Sequence, residues 1–156
     1  MKLKKCICSF MVCSMAFMGL TGCQFQTSKS LVFNVETGDK IEVKLDTTDK
    51  HTLSHEDNIF EIKKDDKLVL KGIFITKDIY DIYLNNIHTS KQATIIEDKL
   101  EEEEGYLFYK ADVEDGSEYD CIFMVKDANT GILLGSNESE EVAKEAMDKL
   151  TITAKD

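Results

Sequence analysis

The chain has 156 residues, of which 30 are Asp or Glu and 19 are Lys, for a net charge of −11. It contains no arginine, proline or tryptophan. Binding to nucleic-acid phosphate needs a basic surface, so this balance argues against a nucleic-acid partner.

The first segment is organised unlike the rest. Met1, Lys2, Leu3, Lys4 and Lys5 form a positively charged tip. Residues 6–22 carry no charge and include Ile7, Phe10, Met11, Val12, Met15, Phe17, Met18 and Leu20. A basic tip, an apolar run and a small-residue end are the layout of a secretory signal. A spanning helix needs about 20 apolar residues, whereas this run is shorter and is interrupted by Ser9, Ser14 and Thr21.

The run closes on Leu20, Thr21, Gly22 and Cys23. Small residues at Thr21 and Gly22 let a peptidase approach the backbone. The thiol that follows is a nucleophile that can be alkylated to a diacylglyceryl thioether. This arrangement resembles the lipobox of bacterial lipoproteins. The resemblance implies that Leu20, Thr21 and Gly22 are the signal-peptidase recognition positions and that Cys23 is the lipidated mature N-terminus. It further implies a partner, membrane lipid held through acylated Cys23, and a location on the extracytoplasmic face of the cell membrane. Two acyl chains suffice for stable anchoring, at about 0.8 kcal/mol per buried CH₂. The absence of arginine beside abundant Lys, Ile and Asn fits an AT-rich genome, hence a Gram-positive bacterium of low GC content.

Removing residues 1–22 leaves 16 lysines against 30 acidic residues, a net −14. A domain this acidic is repelled by anionic headgroups, so the lipid must do the anchoring. Of the five cysteines, 23 and 121 remain. With Cys23 consumed as a thioether, Cys121 has no intramolecular disulfide partner. Its surroundings, Ile122, Phe123, Met124 and Val125, read as core, and Glu118 and Asp120 do nothing to activate a thiol.

The organisation that follows is residues 1–22 as leader, 23–30 as lipidated cysteine and flexible tether, and 31–156 as one domain. Residues 31–35 read as a first strand. Ile41, Val43 and Leu45 alternate with Glu42 and Lys44, the period of a half-buried strand. The polar stretch 46–58 reads as a loop. Ile59, Phe60 and Ile62 start another strand, and Lys64, Asp65 and Asp66 a tight turn. Residues 68–75 form a longer strand in which Gly72 suggests a bulge.

Thr76 suits the N-cap of a helix over 77–88, with Ile79, Ile82, Tyr83 and Ile87 on its apolar face and Tyr80 and Leu84 at the shoulder. Residues 93–96 make a short strand and 97–104 a charged loop. Strands over 106–113 and 119–125 flank the Asp115-Gly116 signal of a hairpin. Residues 132–134 are a further strand. Asn137 and Glu140 are spaced as a capping box for a second helix with the stripe Val142, Ala143, Ala146, Met147 and Leu150. Glu140 with Lys144 and Glu145 with Lys149 are favourable i,i+4 pairs. Residues 151–153 read as a last strand. The order predicts an α+β domain, a mainly antiparallel sheet with two helices packed on it.

The hairpin Tyr106-Leu107-Phe108-Tyr109, Asp115-Gly116, Tyr119-Asp120-Cys121-Ile122-Phe123, followed by Gly131 and a charged helix closing in Leu150-Thr151-Ile152, resembles the back half of small secreted domains of the PsbP/Mog1 type. That resemblance, over roughly residues 59–153, implies an α/β/α sandwich with an antiparallel sheet; no signature residue of the group, and so no function, is carried over from it.

No catalytic constellation emerges. His51 and His55, four apart beside Glu56 and Asp57, would form a metal half-site only on a helix. His88 suits the C-terminal end of a helix dipole. Asp98 and Glu101, Glu102, Glu103 and Glu104 concentrate oxygen ligands without calcium-loop spacing. Neither a Ser/His/Asp set nor a phosphate loop is present, and no cofactor is called for. The function expected is a lipid-anchored envelope protein with a non-catalytic binding or accessory domain, its partner an envelope protein or small ligand. The alternatives are an envelope hydrolase with carboxylates around Asp115 and Asp120, and a passive acidic surface protein.

Overall fold

The computed structural model describes residues 27–156. The expectations for Leu20, Thr21, Gly22 and Cys23 lie outside those residues. Ten strands and two helices follow in the order β1 (Ser28–Asn34), β2 (Lys40–Asp46), β3 (His51–Glu56), β4 (Ile59–Lys64), β5 (Lys67–Thr76), α1 (Lys77–Thr89), β6 (Ala93–Asp98), β7 (Tyr106–Val113), β8 (Gly116–Met124), β9 (Thr130–Ser136), α2 (Glu140–Asp148) and β10 (Leu150–Lys155). The fold is α+β, with antiparallel pairing throughout. Among the described residues no helix is long and apolar enough to cross a membrane.

The strands form two sheets. One has three strands in the order β1-β2-β10, and the other seven in the order β3-β4-β5-β9-β8-β7-β6. Alternation explains β2: Ile41, Val43 and Leu45 are wholly buried while Lys44 and Asp46 face water. Asp65 and Asp66 both take positive φ, 50° and 64°, the geometry of a two-residue hairpin turn whose twist matches the strands. Glu114 and Asp115 turn β7 into β8, with Val113 opposite Gly116.

Two apolar clusters share the large sheet. Phe108, Cys121, Ile132 and Leu134 pack with the three-stranded sheet and with Ala143 and Ala146 of α2. Leu107, Tyr109 and Ile122 pack with Tyr80 and Ile87 of α1. These are alternate residues of the same strands, so the two helices lie over opposite faces of the sheet.

Several expectations are corrected. The stretch 46–58 is not a loop: after a turn at Thr48–Lys50 it forms β3, which pairs with all of β4. Its inward residues are Leu53 and His51, and a histidine in a core position hides the period-two signal. β1 begins at Ser28, because residues 28–30 join the ladder opposite Lys44, Leu45 and Asp46, which shortens the expected 23–30 tether. Gly72 is not at the bulge. The register shift lies between Ile62 and Lys63, and Gly72 instead sits directly under the Phe60 ring.

The two helices also differ in detail. Thr76 caps α1 as expected, accepting from the Ile79 N–H. The buried face is Tyr80 and Ile87, whereas Ile79, Ile82 and Tyr83 stay exposed, a rotation of the expected stripe. Ser139, not Asn137, caps α2 by accepting from the Val142 N–H. Of the two helical pairs Lys144–Glu140 forms, but Glu145 reaches Lys64 and Lys149 reaches Asp49. Leu150 begins β10 rather than ending the helical stripe.

Candidate functional site

A groove of about 1050 Å³ lies between β10, α2 and the face of the large sheet opposite α1. Its floor is apolar: Phe108, Cys121, Phe123 and Leu134 contribute from β7, β8 and β9. The strand period puts them all on one face. Lys144 and Met147 of α2 form one wall, and every residue of β10 from Leu150 to Lys155 forms the other. A strand presenting one face would contribute every second residue. Consecutive residues mean that β10 turns its backbone edge to the groove.

A polar knot closes one end. Glu97 pairs with Phe108 across β6 and β7, which carries its carboxylate onto the groove face. The register shift between Ile95 and Glu97 re-aims the strand there, as bulges do. Lys144 Nζ lies 2.6 Å from Glu97 Oε1, and Lys99 Nζ lies 3.5 Å from Oε2. The Tyr106 hydroxyl donates to Oε2 at 2.7 Å. The lysines also sit over aromatic faces, Lys144 at 5.1 Å from the Phe108 centroid and Lys99 at 5.0 Å from that of Tyr106, contacts that favour a cation. Hydrogen bonding from Lys144 and then Tyr106 holds the Glu97 carboxyl down to about 2, while Lys144 is raised by the same partner. Glu97 is therefore an ionised structural acceptor at neutral pH and a poor proton donor.

Replacing it should show as an acid-stability change. A lowered carboxyl stabilises the fold fully above its ordinary pKa, near 4.5, and the contribution is lost as pH falls through about 2. Glu97 is 30% exposed, so solvent screening reduces the effect to about 1–2 kcal/mol. Urea melts of Glu97→Gln should show that deficit at pH 7 and little deficit at pH 2. An equal deficit at both pH values would mean that packing, not charge, is at stake.

Of the residues nominated for metal or acid chemistry, Glu104 lines the groove, whereas the three histidines, Asp115 and Asp120 do not. His51 is buried, its Nδ1 3.0 Å from the Thr48 carbonyl oxygen. His55 packs edge-on against Phe33 at 5.6 Å. His88 lies in the last turn of α1. Among the described residues no group of three or more His, Cys, Asp or Glu is placed to hold a metal ion, and Glu103 of the acidic run pairs with Lys126. Asp115 sits at the hairpin turn, and Asp120 is five residues along β8. At strand rise that is roughly 16 Å, beyond the spacing of a paired-carboxylate hydrolase. Asp120 lies on the α1 side, opposite Tyr109. Burial, with Glu118 beside it, pushes its carboxyl up to about 6. Cys121 is buried on the groove side, its thiol pushed up to about 12 by burial and then by Asp120 and Glu97. It stays protonated and unreactive.

Sequence reasoning missed the groove because five strands and a helix, far apart in the chain, build it. It also missed Asp39, which accepts from Thr130 Oγ1 at 2.7 Å and the Asn129 N–H at 2.8 Å and ties the β1–β2 turn to the start of β9. The only signal was a Thr-Gly-Asp turn with a free carboxylate. Compared with family models, with curated proteins and with solved structures, the chain matches none.

Proposed function

We propose that this is a lipid-anchored cell-envelope protein whose single α+β domain binds another envelope component in the β10 groove, as a non-catalytic binding or accessory module. The groove carries the reading. Its volume of about 1050 Å³ is at the upper end of ligand sites, and its floor combines apolar and aromatic surface with a few fixed polar groups. The charged groups at its end are engaged in ion pairs, which suits recognition better than proton transfer. The helices on opposite faces of the large sheet support the α/β/α sandwich of the PsbP/Mog1 type. The three-stranded sheet beside α2 is an addition to that plan.

The anchor in this proposal is Cys23, with Leu20, Thr21 and Gly22 as the peptidase recognition positions. The mature protein then sits on the extracytoplasmic face of a Gram-positive cell membrane, held by its acyl chains. With β1 starting at Ser28, only residues 24–27 separate lipid from sheet, so the domain stays close to the bilayer. Cys23→Ala should abolish labelling by an alkynyl fatty acid in expressing cells. Persistent labelling of the variant refutes the anchor.

Capture of envelope components by the full chain in detergent tests the binding reading. The expected result is one component retained by the native protein and lost with Phe123→Lys, which charges the groove floor. Turnover of an envelope substrate, with nothing retained, would overturn it. The hydrolase reading now rests on Asp120 alone, whose raised carboxyl is the kind a general acid shows. Asp120→Asn leaving any such turnover intact would end it.

A further inference from the structure

Resting on the groove as the binding site, we propose that its ligand is an extended, lysine- or arginine-bearing segment of a partner protein, added as an antiparallel strand to the free edge of β10. Among the described residues the β10 strand pairs only with β2. The Asp46 N–H donates to the Lys149 carbonyl at 2.9 Å, which makes that opposed pair a hydrogen-bonded one. Antiparallel ladders alternate such pairs with non-bonded ones. In the observed register Thr151, Thr153 and Lys155 therefore turn their backbone groups to β2. Leu150, Ile152 and Ala154 turn theirs outward, and they are opposite Leu45, Val43 and Ile41. None of these outward groups has a backbone partner among the described residues.

Both edges of the large sheet are managed differently. β6 carries a register shift and two acidic residues. On β3, the Leu53 carbonyl accepts from Lys29 Nζ of β1 at 2.7 Å. β10 has neither proline nor bulge, and its edge opens on an apolar floor where alternate side chains of an added strand could sit. Unpaired edges of this kind recruit strands unless blunted.

Charge selects the partner. All four lysines lining the groove are matched: Lys99 and Lys144 to Glu97, Lys126 to Glu103 and Lys155 to Glu42. Glu104, Asp127 and Asp148, also on its lining, pair with no lysine among the described residues. Spare carboxylates on a chain of net charge −11 attract a basic segment. The same net charge opposes pairing of β10 with its counterpart in a second copy.

The test uses the full chain in detergent and three eight-residue probes: alternating valine and lysine, the same peptide N-methylated at alternate amides, and alternating valine and glutamate. Fluorescence anisotropy should show the Val-Lys peptide binding, with at least tenfold weaker binding of the other two. Ala154→Pro should also weaken it at least tenfold, since proline is accommodated on an edge strand but removes the outward N–H. Hydrogen exchange should show the Ile152 and Ala154 amides protected only with peptide bound.

Equal affinity for the N-methylated peptide, or for Ala154→Pro with an unchanged melting temperature, overturns strand addition. If binding then still disappears with Phe123→Lys, the groove remains the site and only the strand geometry fails. A dimer in sedimentation that Ala154→Pro dissociates would give the edge to a second copy and overturn the partner assigned here.

Discussion

Gly72→Ala should lower stability by about 3 kcal/mol, the upper range for overpacking a core. A Cβ at this position would lie 2.0 Å from Phe60 Cζ and 2.4 Å from Cε2. Gly72 and Phe60 are directly opposed in the β4–β5 ladder, so the ring lies flat over a residue that has no side chain. It has nowhere to retreat. Phe60 is fully buried and touches Phe74 at 5.6 Å and Phe33 at 6.2 Å between ring centroids. Phe33 belongs to the three-stranded sheet, so moving Phe60 disturbs the packing between the two sheets. Against a typical domain stability of about 5–15 kcal/mol this is a large loss. Urea denaturation measures it. Combining Gly72→Ala with Phe60→Leu should cost clearly less than the sum of the two single changes, because the shorter side chain relieves the clash. Strict additivity would refute the mechanism.

Asp120→Asn should do the opposite and stabilise the protein by about 1–2 kcal/mol at pH 7–8. Burial on the α1 side is the main reason that its carboxyl is raised to about 6, with repulsion from Glu118 adding to it and hydrogen bonding from Tyr109 working the other way. An acid raised on folding favours the native state below its ordinary pKa, near 3.8, where both states hold the proton. That advantage is lost as pH rises through about 6. The variant should therefore match the parent near pH 4 and exceed it above pH 7. Glu97 has the reverse slope, gaining between about 2 and 4.5. Together these two groups place their joint optimum at roughly pH 4–5. Thermal melts across pH 2–8 for the parent and both variants would show this. An Asp120→Asn profile parallel to the parent would mean that the carboxyl titrates normally.

How much was legible in the chain depended on how local the cause was. The Asp65-Asp66 turn, the Thr76 cap and the alternation of β2 are written in neighbouring residues and were read correctly, whereas the second hairpin turns at Glu114-Asp115, one residue before the Asp115-Gly116 signal, and its return strand starts at Gly116. The β3 strand was not, because one of its two inward residues is His51, satisfied by a carbonyl that only the folded turn supplies. In α1, Ile79, Ile82 and Tyr83 and the set Tyr80, Leu84 and Ile87 both satisfy helical spacing. Periodicity alone could not choose between two adjacent apolar stripes, and the sheet chose. Ser139 displaced Asn137 because a cap is defined by where the chain turns extended, two residues later than composition suggested. The groove left no trace in any segment. Glu97 looked like the start of a solvated acidic loop until the β6 ladder delivered it to Lys144.

The three-stranded sheet has a consequence for the order in which the chain can fold. β2 meets β1 almost at once, but Leu45 finds Leu150 only roughly a hundred residues later. At ordinary rates of synthesis that is a wait of roughly 5–20 s. Until β10 arrives, Ile41, Val43 and Leu45 have only half their cover, and such long-range pairing is intrinsically slow. If the chain is exported as proposed, a sheet completed only by β10 delays closure of the fold until residues 150–155 are available.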